Sequence, residues 1–212
     1  MISLPASPRL AAFATGIVAL ALLPATAPAG TALDSLGQVP STSCVPGGSS
    51  PFLPWGDPGN YSLLPGGDFE RGAVGWTLSR GARIVSGNEP WRVSNALDRS
   101  SLALPDGSSA AAPAICSGLA DPTIRFFVSA VDDDNAGRLD VSVLVKIAGS
   151  VRELPVATIS GRGGWRPTPV IPFLANATAL ASGGAAQVSF RFVSRGGGWR
   201  IDDVYVDPLK SH

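Results

Sequence analysis

The chain has 212 residues, of which 45% are hydrophobic, and its 16 Lys and Arg balance 16 Asp and Glu. A near-neutral chain with no basic cluster argues against nucleic acid and anionic membranes as partners. The single histidine is the last residue, His212, so Ser-His-Asp catalysis, Cys-His catalysis and histidine-based zinc or copper sites lack their central side chain.

The first thirty residues carry the three parts of a secretory signal. Met1 to Arg9 is a short n-region, Leu10 to Leu23 is uncharged and apolar, and Ala27-Pro28-Ala29 fits the cleavage pattern. An apolar run of 14 residues falls short of the roughly 20 needed to span a bilayer. Residues 1–29 therefore read as a signal peptide, cut after Ala29 or after Ala32. No cysteine sits at a lipobox position, and Leu209-Lys210-Ser211-His212 is not a hydrophobic sorting tail. The expected product is secreted, extracellular and monomeric, with no membrane attachment after cleavage and a net charge of −1 once Arg9 is lost.

The remaining chain suffices for one domain with a proper core. Cys44 and Cys116 are its only cysteines. In an oxidising compartment they read as one disulfide closing a loop of about 73 residues, worth roughly 4 kcal/mol in the chain-entropy account. Two separate buried thiols are the alternative. Residues 30–60 are rich in Gly, Pro and Ser and read as an N-terminal segment; the domain reads as 61–208.

Period-2 alternation dominates from there. The weaker strands come first, at Arg83–Val85, Ser101–Leu104 and Ala111–Ile115. Thr123–Ala130 puts Ile124, Phe126, Val128 and Ala130 on one face. Asp132 to Gly137 reads as a hairpin connection with a solvated tip. Its three aspartates fail as an EF-hand, because positions 5 and 12 would be Ala136 and Val143. Leu139–Ile147 alternates Leu139, Val141, Val143, Val145 and Ile147 inward. Weaker strands follow at Glu153–Thr158 and Arg166–Ile171, and Phe173 to Ala181 reads as a short helix. Gln187–Phe192 alternates Val188, Phe190 and Phe192 inward, ahead of a last strand at Arg200–Val206. Eight or nine antiparallel strands of this kind make an all-β, two-sheet sandwich, with the jelly roll as a standard arrangement.

Two acidic stretches stand out. Gly67 to Trp76 reads G-D-F-E-x-G-x-x-G-W, and Trp199 to Val206 reads W-x-I-D-D-V-x-V. Asp202 and Asp203 interrupt an otherwise largely apolar strand, which is destabilising unless they are paired or metal-bound. These stretches resemble the opening and closing motifs of carbohydrate-binding modules in the family 4/9/22 group. Ser101-Leu102 and Trp165 are looser landmarks between them, so the resemblance spans Leu64 to Asp207.

The resemblance implies a galactose-binding-like jelly roll whose two ends meet. It also implies a structural Ca²⁺ held by Glu70 and Asp202 or Asp203, with carbonyls near Asp68 or Gly72. Pairing of these carboxylates with Arg71, Arg80 or Arg200 is the alternative. Trp76 reads as a core plug rather than a ligand contact. Sugar contacts in that group lie on aromatic faces, which nominates Trp91, with Asn88, Glu89 and Arg92 beside it, together with Trp165, Trp55 and Tyr61. For each of these aromatics, ordinary packing is the competing account. The function expected is a non-catalytic module recognising a cell-wall or environmental polysaccharide. An adhesive or structural domain that binds protein is the alternative, and a hydrolase using two carboxylates is a more distant third.

Overall fold

The computed structural model describes residues 48–118, 123–132, 137–147, 150–161, 163–173 and 185–207. Among them, thirteen strands form two antiparallel sheets. The first sheet holds β1 (Ser62–Leu63), β3 (Arg83–Ser86), β4 (Ser100–Leu104), β7 (Thr123–Ala130), β10 (Arg166–Pro167), β11 (Ile171–Pro172) and β13 (Trp199–Asp207). The second holds β2 (Thr77–Ser79), β5 (Ser109–Ala111), β6 (Ile115–Gly118), β8 (Arg138–Ile147), β9 (Ser150–Ser160) and β12 (Ala185–Arg195). The order is β10-β7-β13-β4-β3 in one and β2-β5-β12-β8-β9 in the other. The chain crosses repeatedly between the sheets, as a jelly roll requires.

The core lies between the sheets and is built from the alternating faces. Ile124, Phe126 and Val128 meet Val141, Val143, Val188, Phe190 and Phe192, with Trp199 and Ile201 beside them, all fully buried. Each such side chain contributes roughly 1.5–3 kcal/mol by leaving water. Trp76 is buried against Phe69 and Phe192 and donates its indole N–H to the Pro65 carbonyl at 3.0 Å, as a core plug should.

The expected hairpin at 132–137 is corrected by the topology. β7 pairs with β13, β10 and β11, whereas β8 pairs with β12 and β9, so this connection joins opposite sheets. Alternation fixes which face of a strand is buried but not which strand lies beside it. The predicted strand at Ala111–Ile115 is split as β5 and β6 around Pro113, whose missing N–H cannot join a ladder. Pro167 and Pro169 likewise leave only β10 and β11 from the stretch Arg166–Ile171. The signal segment, Cys44, Asp133, Asp134 and all but Phe173 of the expected helix lie outside the described residues.

All eight residues of β7 are buried, so its outer face is covered as well. The cover comes from the segment before Tyr61. Phe52 is 0% exposed and stacks on Phe127 at 5.5 Å, with the edges of Tyr61 and Tyr205 against it. Arg125 lies 4.2 Å over the Phe52 ring and pairs with Asp57 at 2.6 Å. Tyr61 donates its hydroxyl to the same Asp57 oxygen at 2.7 Å. Packing thus begins about ten residues earlier than the Gly, Pro and Ser content suggests.

Candidate functional site

The two acidic stretches meet at one end of the first sheet, as the motifs imply. In β13 two residues, Asp203 and Val204, stand opposite the single Phe126, between the pairs Asp202 with Phe127 and Tyr205 with Arg125. This bulge resets the alternation, so Ile201, Val204 and Val206 all face the core while Asp203 is turned aside in a left-handed conformation, φ 48°. The opening loop docks on it: Leu64 donates to the Val204 carbonyl at 2.8 Å, and Val204 donates to Gly67 at 3.1 Å. A Cβ on Gly67 would stand 2.9 Å from that Val204 carbonyl, which explains a glycine at the head of the motif.

Between these elements runs the β3–β4 loop, residues 87–99. It has no strand partner, so its backbone N–H groups must be satisfied otherwise. Carboxylates do this. Glu70 Oε1 accepts from Arg99 at 2.7 Å and from Ser100 at 2.6 Å. Glu89 turns back on its own loop and accepts from Trp91 and Val93, both at 2.6 Å. Asp202 accepts from Glu89 at 3.1 Å and from Asp203 at 2.9 Å. Asp203 Oδ2 accepts from Ser94 at 3.1 Å.

Two carboxylate oxygens in this nest are buried with no hydrogen-bond partner, Asp203 Oδ1 and Asp98 Oδ2. Burial first, and the neighbouring Asp203 second, push the Asp202 carboxyl up to about 9. Burial, then Glu89, with Asp98 and Asp68 adding, push Asp203 up to about 8. Asp98 is raised by burial and then by Glu70, Asp68 and Glu89. Arginine relieves this crowding only through space, by the attraction of Arg200 for Asp202 and of Arg92 for Glu89, and not by ion pairs. Arg71 and Arg80 are exposed, and Arg200 donates instead to the Ser86 and Gly87 carbonyls and to Ser101. The ion pairs among the described residues lie elsewhere. Among those residues, no three His, Cys, Asp or Glu side chains are already gathered as a metal cage. What the nest offers a hard cation is a crowd of buried carboxyls and two unfilled oxygens.

The loop carries Trp91, which is 46% exposed. Its ring meets the edge of Trp55 at 5.0 Å and lies 5.5 Å from Phe127. Trp165 borders the same aromatic cluster, half-buried, with the Arg200 guanidinium 5.5 Å over its ring. Trp91, Trp55 and Trp165 therefore share the outer face of the first sheet. Arg92 is exposed and donates to the Ala96 carbonyl at 3.1 Å. Asn88 is half-buried and donates to the Glu89 carbonyl at 3.0 Å. Two of the nominated contacts do not reach the surface: Glu89 is fully buried with both oxygens engaged, and Tyr61 is buried on Asp57. Sequence reasoning passed over Asp98, a lone acid one residue before Arg99 with no pattern around it.

No protein-family model matches the sequence, and no curated protein sequence matches it. Among solved structures the fold is similar to that of carbohydrate-binding modules. The tandem CBM22-1-CBM22-2 domain of Paenibacillus barcinonensis Xyn10C has a TM-score of 0.49 at 13% identity, covering 72% of this chain and 46% of that one. The family 11 carbohydrate-binding module of Clostridium thermocellum, solved with a β-1,3-1,4-mixed-linked tetrasaccharide, has a TM-score of 0.44 at 14% identity, covering 72% and 98%. TmCBM61, solved with β-1,4-galactotriose, has a TM-score of 0.42 at 17% identity, covering 70% and 98%.

Proposed function

We propose that this chain is a secreted, non-catalytic module that binds a glycan, a cell-wall or environmental polysaccharide, on the aromatic face around Trp91. The observation that carries the reading is Trp91 itself. Nearly half of its surface is left in water, while Trp55 and Phe127 brace its ring and the buried Glu89 fixes its backbone N–H. A rigid aromatic plate at the surface suits stacking on a sugar ring, with polar neighbours for the hydroxyls. Asn88 and Arg92 in the same loop, and Trp165 on the same cluster, are the neighbours available.

The same reading assigns a structural Ca²⁺ to Glu70 with Asp202 or Asp203, where the unpartnered Asp203 Oδ1 supplies a hard oxygen donor. Bound there, the ion would supply positive charge to a crowded set of carboxylates.

A glycan array probed with the secreted chain and with Trp91→Ala tests the reading. Binding by the first and at least a tenfold loss in the second, with unchanged circular dichroism, supports it. If the chain binds no polysaccharide while its tryptophans resist quenching by acrylamide, the sugar reading fails. Such a result favours a structural or adhesive domain whose contacts are to protein.

A further inference from the structure

The chain as a whole is near neutral, but its exposed charge is unevenly placed. In the β3–β4 loop the acids, Glu89 and Asp98, are buried, whereas the bases, Arg92 and Arg99, are exposed. Arg71 is exposed as well, on the opening loop next to Glu70, which binds the Arg99 N–H. The half-buried acids of that loop, Asp68 and Glu70, accept from backbone N–H groups and form no ion pair with these arginines. Among the described residues the exposed acids are Asp106, Asp132 and Glu153. Asp106 follows β4 and Asp132 follows β7, where both strands end beside Trp199 at the far end of the first sheet, and Glu153 lies on β9 of the second. The described surface around Trp91 therefore shows arginine and no exposed carboxylate. Arg92 is singled out by its backbone. Its φ of 52° lies in the left-handed region, which long side chains rarely take and which clusters at functional sites. Its guanidinium is steadied on the Ala96 carbonyl at 3.1 Å. Glu89 attracts it through space, but both Glu89 oxygens are taken by the N–H groups of Trp91 and Val93.

We propose that the glycan is acidic, a polysaccharide of uronic acids, whose sugar ring stacks on Trp91 while its carboxylate pairs with the guanidinium of Arg92. This rests on the glycan reading and names the ligand class of the same site. The planar guanidinium matches a carboxylate with two parallel N–H···O bonds, which a lysine cannot reproduce. A uronic acid carries its carboxylate on the ring that stacks, so a plate and a fork on neighbouring residues suit a single sugar unit. Arg71 and Arg99 add an attraction of longer range that salt screens.

The test titrates the secreted chain with polygalacturonate, with its methyl ester, with a neutral β-glucan and with dextran sulfate. Polygalacturonate is expected to bind at least tenfold tighter than the ester or the β-glucan, and to weaken severalfold when salt rises from about 0.05 M to about 0.5 M. Arg92→Gln is expected to keep the parent's circular dichroism and to lose the preference for acid over ester; Arg92→Lys restores it only in part. Trp91→Ala is expected to weaken acid and ester alike. Arg152→Gln, at an exposed position on β9, serves as a control with unchanged affinity. Tighter binding of the ester or the β-glucan overturns the proposal and leaves the glycan reading standing, as does an acid preference that survives in Arg92→Gln. Dextran sulfate binding as tight as that of polygalacturonate and indifferent to Trp91→Ala means charge attraction without stacking, and also overturns it. No binding to any of the four polymers sinks both.

Discussion

Replacing Phe52 by alanine tests whether the segment before Tyr61 belongs to the folded domain. The ring is fully buried between Phe127, Tyr205 and Tyr61, with the Arg125 guanidinium 4.2 Å above it. Phe→Ala substitutions in cores cost about 3–5 kcal/mol, more when the surroundings collapse poorly. Here the walls are rigid rings on β7 and β13 together with Tyr61, and Arg125 is held by Asp57 and by the Thr168 carbonyl. The cavity therefore stays open, which puts the loss in the upper half of that range. With a urea slope of about 2 kcal/mol/M, the midpoint should fall by about 2 M. Urea unfolding followed by tryptophan fluorescence measures it. Val74→Ala, at a 66% exposed position, is the control and should not move it. A loss below about 1 kcal/mol for Phe52→Ala would refute the reasoning and return the start of the domain to Tyr61.

Two further outcomes follow from the same strap and from the cysteines. Burial raises the Asp57 carboxyl, but hydrogen bonds from Tyr61, the Gly59 N–H and Arg125 outweigh it, so its pKa in the fold lies below the usual value. A lowered carboxylate stabilises above the unfolded pKa of about 4, and that contribution is lost as pH falls through the folded value. Asp57→Asn should therefore lower the melting midpoint at pH 7, and the gap from the parent should close as pH falls below about 4. A gap that stays constant with pH contradicts the assignment. For Cys44 and Cys116, intact mass should rise by two hydrogens on reduction, and unfolding free energy should drop by roughly 4 kcal/mol. An unchanged mass means two thiols.

The strands that alternate strictly were legible, because a face buried against a core leaves its period in the sequence. β7, β8, β12 and β13 stand close to where the alternation over Thr123 to Ala130, Leu139 to Ile147, Gln187 to Phe192 and Arg200 to Val206 put them. Their partners were not legible, since sheet neighbours depend on contacts remote in the chain; hence the misread link between β7 and β8. Phe52 and Trp55 lie in a segment without periodicity, and burial of the second face of β7 depends on that segment. At the site, the break in β13 at Asp202 and Asp203 was visible, whereas the bulge that aims them was not. Asp98 left no trace, because the carboxylates that crowd it, Glu70 and Asp68 among them, reach it only in the fold.

The outermost strand of the second sheet, β9, is eleven residues long, enough to template another strand along its free side. It does not offer a clean ladder. Pro155 lacks a donor, and the register shifts opposite it between Val141 and Ser142. Arg152 and Glu153 put charge at the same stretch, and Glu153 is tied to Arg191 at 3.1 Å. A long, flat rim would recruit its own copies at high concentration; this kinked and charged one discourages stacking into fibres. If the chain is secreted as proposed, that protection keeps it dispersed where no chaperone is at hand.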